Sequence, residues 1–162
     1  MDRPIGFIAM VNRHPCEMSL GSRAEENRPA RPRVLLVDSH HDCADSLALV
    51  LSLWGYDIRV AYSGTEALEI ARAYRPCLVV TEILLPGIDG HELANCLRAE
   101  PEPAVLIALT SLGREVDRLR SRMAGFDHHV VKPVDLDALR KLLALAGYFR
   151  RARLTLSKPA CF

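Results

Sequence analysis

Leu78-Val79-Val80-Thr81-Glu82, followed at once by Leu85-Pro86-Gly87-Ile88-Asp89-Gly90, decides how the chain folds. Four apolar or β-branched residues in a row, halted by an acid, read as a strand buried on both faces. The Pro-Gly and Asp-Gly pairs behind it make a tight loop. On the N-terminal side the same pattern recurs. Val34-Leu35-Leu36-Val37 is an apolar run ending in Asp38, and Ile58-Arg59-Val60-Ala61 is a second strand. On the C-terminal side stand Ala104-Val105-Leu106-Ile107-Ala108-Leu109, ending at Thr110, and His128-His129-Val130-Val131, ending at Lys132-Pro133.

Helical patterns fill the gaps. Asp42 to Trp54 places Cys43, Leu47, Val50, Leu51 and Trp54 on one stripe, with Gly55 as the stop. Ser63 with Glu66 three residues on is a capping box for a helix that ends before Pro76. Glu92 to Ala99 is a third helix. Glu115 to Ala124 is a polar, Arg-rich fourth with a narrow stripe of Val116, Leu119 and Met123. Asp135 caps a last helix through Leu145. Strands and helices in strict alternation predict an α/β fold: a doubly wound, five-stranded parallel sheet with right-handed crossovers. In such sheets the functional cleft lies beyond the carboxyl ends of the strands. The residues that end strands are therefore the candidates: Asp38, Glu82, Thr110 and Lys132.

Composition narrows the function. The 162 residues are 49% apolar and 25% charged, with 21 Lys plus Arg against 20 Asp plus Glu. That is enough chain for one core without staples, and a net charge of +1 gives no global field for nucleic acid. No apolar run reaches the roughly 20 residues that span a bilayer. Five cysteines (Cys16, Cys43, Cys77, Cys96, Cys161) lie scattered, with no C-x-x-C pair, as suits free thiols in a reducing cytoplasm. There is no glycine-rich phosphate loop and no G-x-S-x-G elbow. Residues 1–32, with Pro4, Pro15, Pro29 and Pro32 and no periodicity, read as a mobile tail. Residues 33–146 form the domain, and 147–162, with Arg150, Arg151 and Arg153, a basic extension.

The strand-end set, with Ser63-Gly64-Thr65-Glu66-Ala67-Leu68, Leu85-Pro86-Gly87-Ile88-Asp89-Gly90 and Lys132-Pro133 in order, resembles the receiver (response regulator) domain of two-component phosphorelays, over about Pro32 to Ala146. Ala124-Gly125-Phe126-Asp127 before the Lys-Pro is similar to receivers of hybrid sensor kinases. The resemblance implies a flavodoxin-like receiver fold with strand order 2-1-3-4-5. It also implies a pocket in which two acids after the first strand and an aspartate after the third bind Mg²⁺, the aspartate then taking a phosphoryl group from a histidine kinase. Asp38 matches the first acid, Thr110 and Lys132 the phosphoryl-contact residues, and His129 an aromatic switch position three residues before the lysine.

Two positions depart from the family pattern. Glu82, four residues before Pro86, stands in the phosphoacceptor place, and Ser39 in that of the second acid. Glu82 carries −1 and two oxygens, where a phosphoryl group carries about −1.5 to −2 and three. Fewer carboxylates mean weaker hard-cation binding, so Asp38 and Glu82 are expected to hold Mg²⁺ weakly, with no other cofactor.

The expectation is a non-enzymatic, stand-alone, cytoplasmic pseudo-receiver. It would work by contact with a histidine kinase, a phosphotransfer domain or a downstream signalling protein, without nucleic acid or membrane. An active phosphoacceptor and a structural adaptor with a vestigial pocket remain the alternatives. His129 itself reads as a solvent-facing strand-edge residue, and the His40-His41 and His128-His129 pairs as poor metal sites.

Overall fold

The computed structural model describes residues 31–156, with side chains through residue 147. Cys16, Cys161 and most of the N-terminal segment set apart above lie outside the described residues. Five strands, β1 (Arg33–Val37), β2 (Asp57–Ala61), β3 (Leu78–Thr81), β4 (Val105–Thr110) and β5 (His128–Val131), alternate with five helices. The helices are α1 (His41–Leu53), α2 (Gly64–Tyr74), α3 (Gly90–Arg98), α4 (Glu115–Met123) and α5 (Leu136–Leu156). The sheet is parallel throughout and its order is β2-β1-β3-β4-β5. The fold class read from the sequence holds in full.

Strand residues alternate faces, and with both faces covered the central strands β1, β3 and β4 each feed two cores. Leu35, Val37, Val79, Leu106 and Ala108 pack with Ala67, Leu93 and Leu97 of α2 and α3. Val34, Leu36, Leu78, Val80, Ile107 and Leu109 pack with Leu51 of α1 and with Leu139 and Leu143 of α5. This is why the strands read as continuous apolar runs.

Local chemistry sets the helix starts. Ser63 Oγ accepts the Glu66 amide at 3.2 Å, and Glu66 Oε2 reaches back to the Tyr62 amide at 2.8 Å, one residue before the reciprocal position of a standard box. Asp89 accepts the His91 and Glu92 amides, both at 2.9 Å, so α3 starts at Gly90, two residues before the sequence-based start. Asp135 caps α5 through the Ala138 amide at 2.9 Å. The last helix does not stop at Leu145. It runs on to Leu156, so much of the segment set apart as an extension is a continuation of α5. Gly147 costs that helix about 1 kcal/mol but does not break it.

Two glycines let the loop after β3 sit tightly. A Cβ on Gly64 would meet the Ile88 carbonyl oxygen at 2.4 Å, and one on Gly90 would meet the Glu82 carbonyl oxygen and Ile83 Cα at 2.6 Å. Residues 82–90 are thereby pinned between the starts of α2 and α3. Gly90→Ala should cost about 1–3 kcal/mol through forced backbone displacement. Gly147→Ala, with open space around it, should gain about 0.5–1 kcal/mol. Urea midpoints of the two variants check both signs.

Candidate functional site

The topology brings the acids together. Val37 pairs with Thr81 across β1 and β3, so Asp38 and Glu82, the next residues on each strand, leave the sheet side by side. The Glu82 amide bonds the Val37 carbonyl at 2.9 Å. β1 and β3 also flank the point where the chain's winding reverses, the place where doubly wound sheets open their cleft. Lys132 leaves the end of β5, its amide on the Thr110 carbonyl at 2.8 Å, and its peptide bond to Pro133 is cis.

The Lys132 ammonium reaches back across the sheet edge to both acids. Nζ donates to Asp38 Oδ2 at 2.7 Å and to Glu82 Oε2 at 3.0 Å. The two carboxylate side chains are 8% and 7% exposed and Lys132 31%, so the cluster is shielded but open on the lysine side. The remaining carboxylate oxygens are also occupied. Glu82 Oε1 accepts the Ile83 amide at 2.7 Å and the Leu84 amide at 3.2 Å. Asp38 Oδ1 accepts the His40 amide at 2.9 Å, with His40 Nδ1 at 3.3 Å. Ser39 is half-buried beside Asp38 and brings no carboxylate.

Charge and burial oppose each other here. Burial pushes the Asp38 carboxyl up, but the Lys132 ammonium and the His40 amide outweigh it and hold the group below the usual carboxylate range. Burial lowers Lys132, but its bonds to Asp38 and Glu82 carry it above its ordinary value. Ionised Asp38 therefore stabilises the fold at neutral pH, and that contribution is lost as pH falls through its lowered pKa, beneath about 4. The Lys132 contribution is present below about pH 10.4 and is lost as pH rises through its raised value.

Other sequence-predicted residues are placed differently. Thr110 is fully buried, and its hydroxyl accepts the Leu112 amide at 3.3 Å. No hydrogen bond joins that hydroxyl to Glu82 or Lys132 among the described residues. His129 is not solvent-facing. Its ring turns in toward α4, with Nδ1 2.9 Å from Ser121 Oγ and Nε2 2.7 Å from the Leu112 carbonyl oxygen. The reason is the strand period: Val130 packs with the α1 and α5 core, so its neighbour His129 faces the other way. His40 and His41 lie at the start of α1, where His41 stacks on Tyr62 at 3.9 Å. The Ile83 and Leu84 amides were not legible, because a backbone donor leaves no mark in a sequence. The α3 cap was legible: Asp89 with Glu92 three residues on is a capping pattern.

Among the described residues no group of three or more His, Cys, Asp or Glu side chains is placed to hold a metal ion. Mg²⁺ asks for an octahedron of oxygens, and the pocket offers two carboxylates that already share an ammonium. This donor set does not fit a tight Mg²⁺ site.

A parallel sheet in 2-1-3-4-5 order with acids and a lysine at its carboxyl edge defines a phosphorelay receiver. The model of the response regulator receiver domain matches residues 34–144, and the chain belongs to that family. Response regulator MprA of Mycobacterium ulcerans is 32% identical over 122 residues, 75% of this chain and 52% of that protein. MprA of Mycobacterium tuberculosis is 33% identical over 121 residues, with the same coverage of each. The chain thus spans about half the length of these curated relatives. A response regulator from Chloroflexus aurantiacus aligns with TM-score 0.70 and 30% identity over 74% of this chain and 99% of that one. The receiver domain of a Luxo repressor protein from Vibrio parahaemolyticus aligns with TM-score 0.75 and 22% identity, over 80% of this chain and all of that one.

Lys132→Met should lower stability at pH 7 by up to about 3 kcal/mol, the low end for breaking a buried pair because the lysine is partly exposed. Part should return near pH 5, when one of the two unpaired carboxylates takes a proton. Urea denaturation of parent and variant at pH 5, 7 and 9 reads this. An equal loss at every pH would show that the ion cluster is not its source.

Proposed function

We propose that this chain is a receiver-type signalling module in which the Glu82 carboxylate permanently occupies the place of a phosphorylated aspartate. It acts in the cytoplasm by protein–protein contact rather than as an enzyme. The observation that carries the reading is the full occupancy of Glu82: two backbone amides on one oxygen and the Lys132 ammonium on the other. Amides and an ammonium are the donors that a phosphoryl anion recruits. The longer side chain carries its charge toward them. With one negative charge and two oxygens, and with the Thr110 hydroxyl directed to Leu112, Glu82 reproduces the phosphorylated state in part.

The same occupancy argues against Glu82 as a phosphoacceptor, because an attacking carboxylate oxygen must first give up its donors. A family partner, whether histidine kinase, phosphotransfer domain or downstream signalling protein, would meet a surface already set. Val116, Leu119 and Met123 on α4 are 47%, 52% and 79% exposed and offer such a surface. Among the described residues no helix is long and apolar enough to cross a membrane.

Intact mass after incubation with Mg²⁺ and acetyl phosphate tests the proposal. The parent should remain unmodified, while Glu82→Asp/Ser39→Asp gains one phosphoryl group. A labile phosphoryl group on the parent would sink the reading.

Metal binding should follow the carboxylate count. The parent should bind Mg²⁺ weakly, and Ser39→Asp should tighten it by about tenfold or more, as one added charged ligand does for hard cations. Isothermal titration at constant ionic strength checks the difference. Equal affinities would mean that the pocket does not take the ion where the acids stand.

A further inference from the structure

His129 sits at the centre of a hydrogen-bond chain that the pocket chemistry does not use. Its Nε2 lies 2.7 Å from the Leu112 carbonyl oxygen, which can only accept, so Nε2 carries a proton. Its Nδ1 lies 2.9 Å from Ser121 Oγ. The Ser121 hydroxyl also lies 3.0 Å from the Asp117 carbonyl oxygen, one turn back on α4, and would donate there. A hydroxyl has one proton. With a neutral ring, Nδ1 must accept that proton and the Asp117 carbonyl loses it. With a doubly protonated ring, Nδ1 donates to Ser121, Ser121 donates to Asp117, and all three contacts are made together.

We infer that His129 is a proton-operated latch: its ring holds Ser121 of α4 and Leu112 of the loop before it in either state, and a second proton frees the Ser121 hydroxyl to bond Asp117 as well, tightening α4 against β5. The latch does not depend on whether Glu82 imitates a phosphoryl group. Its surroundings are specific. From α4, Arg118 reaches the His129 carbonyl oxygen at 3.4 Å and opposes a second positive charge. Asp117, on the same helix, has its carboxylate on the Arg114 amide at 3.1 Å. β4 brings uncharged Ala108 opposite His129. Along β5, His128 points to the other face, and Lys132, three residues on, is held by Asp38 and Glu82.

The consequence falls on the α4 surface. Ser121 is almost wholly buried, while Val116, Leu119 and Met123 on the same helix are exposed. A latch that closes on the inner side of α4 alters how firmly that outer apolar stripe is presented. A proton gained or lost at this ring would make partner contact at α4 responsive to pH.

Two measurements on the full chain test this together. The ring ¹⁵N shifts of His129 across pH 5 to 8 report tautomer and protonation directly. Amide hydrogen exchange of residues 117–124, corrected for intrinsic rates, reports the fastening of α4. Ring protonation should find the Nε2–H tautomer at the start and raise α4 protection about three- to tenfold, the effect of one net hydrogen bond. Ser121→Ala, a small change at a buried site, should keep the ring titration and abolish the change in protection. His129→Phe should show none at any pH. An Nδ1–H tautomer at neutral pH, unchanged α4 protection on protonation, or the same change in Ser121→Ala would each overturn the latch.

Discussion

The site depends on one ammonium between two carboxylates. Asp38 and Glu82 leave neighbouring strands side by side because β1 and β3 pair in register. Two buried anions at that separation repel, and in a shielded pocket the repulsion is strong. Lys132, arriving from β5 on the far side of β4, offsets that repulsion with one ammonium bonded to both. The sheet order is therefore also an electrostatic arrangement. It brings together residues 50 and 94 positions apart in the chain.

The pocket is closed by backbone as much as by side chains. Glu82 Oε1 is held by amides of the two residues that follow it, so its conformation is fixed by the path of the 82–90 loop. That path is set by Gly64 and Gly90, whose missing Cβ atoms let the loop touch the starts of α2 and α3. Arg98 braces the other end of α3. It donates to the Gly125 carbonyl at 2.7 Å, the Ala104 carbonyl at 2.9 Å and the Asp127 carboxylate, which in turn accepts the Leu106 amide at 2.8 Å. Both termini of α3 are thus tied by polar contacts to segments flanking the strands, the Gly90 amide to the Ile83 carbonyl at 2.9 Å and Arg98 to the Gly125 and Ala104 carbonyls, while Leu93 and Leu97 supply the apolar contact between them.

Much of this was legible in the sequence, and the parts that were not share a cause. The apolar runs gave the sheet and its winding because strands buried on both faces admit no polar residue until they end. Asp38, Glu82 and Lys132 were legible because each stops such a run. The continuation of α5 past Leu145 was legible only as a helical extension of the basic tail, because a glycine in a run of good helix formers is a weak stop. The directions of Thr110 and His129 were not legible either. A strand-end side chain can face the cleft or its own turn, and the choice falls to hydrogen bonds with Leu112 and Ser121, neither of which any sequence pattern marks.

Leu112 joins the two halves of the structure. Its amide donates to the Thr110 hydroxyl at the pocket edge, and its carbonyl accepts from His129 on the α4 side. One peptide segment therefore feels both regions. On the proposed reading, in which Glu82 keeps an anion in the pocket, the Thr110 hydroxyl need not turn toward a phosphoryl group, and its bond to Leu112 stays intact. The segment after β4 is then free to answer to the other neighbour, the imidazole. Under that reading the receiver fold still keeps a hydrogen-bonded path from the pocket edge to α4, through Thr110, Leu112, His129 and Ser121, and the proposed variable on it is the proton count at His129.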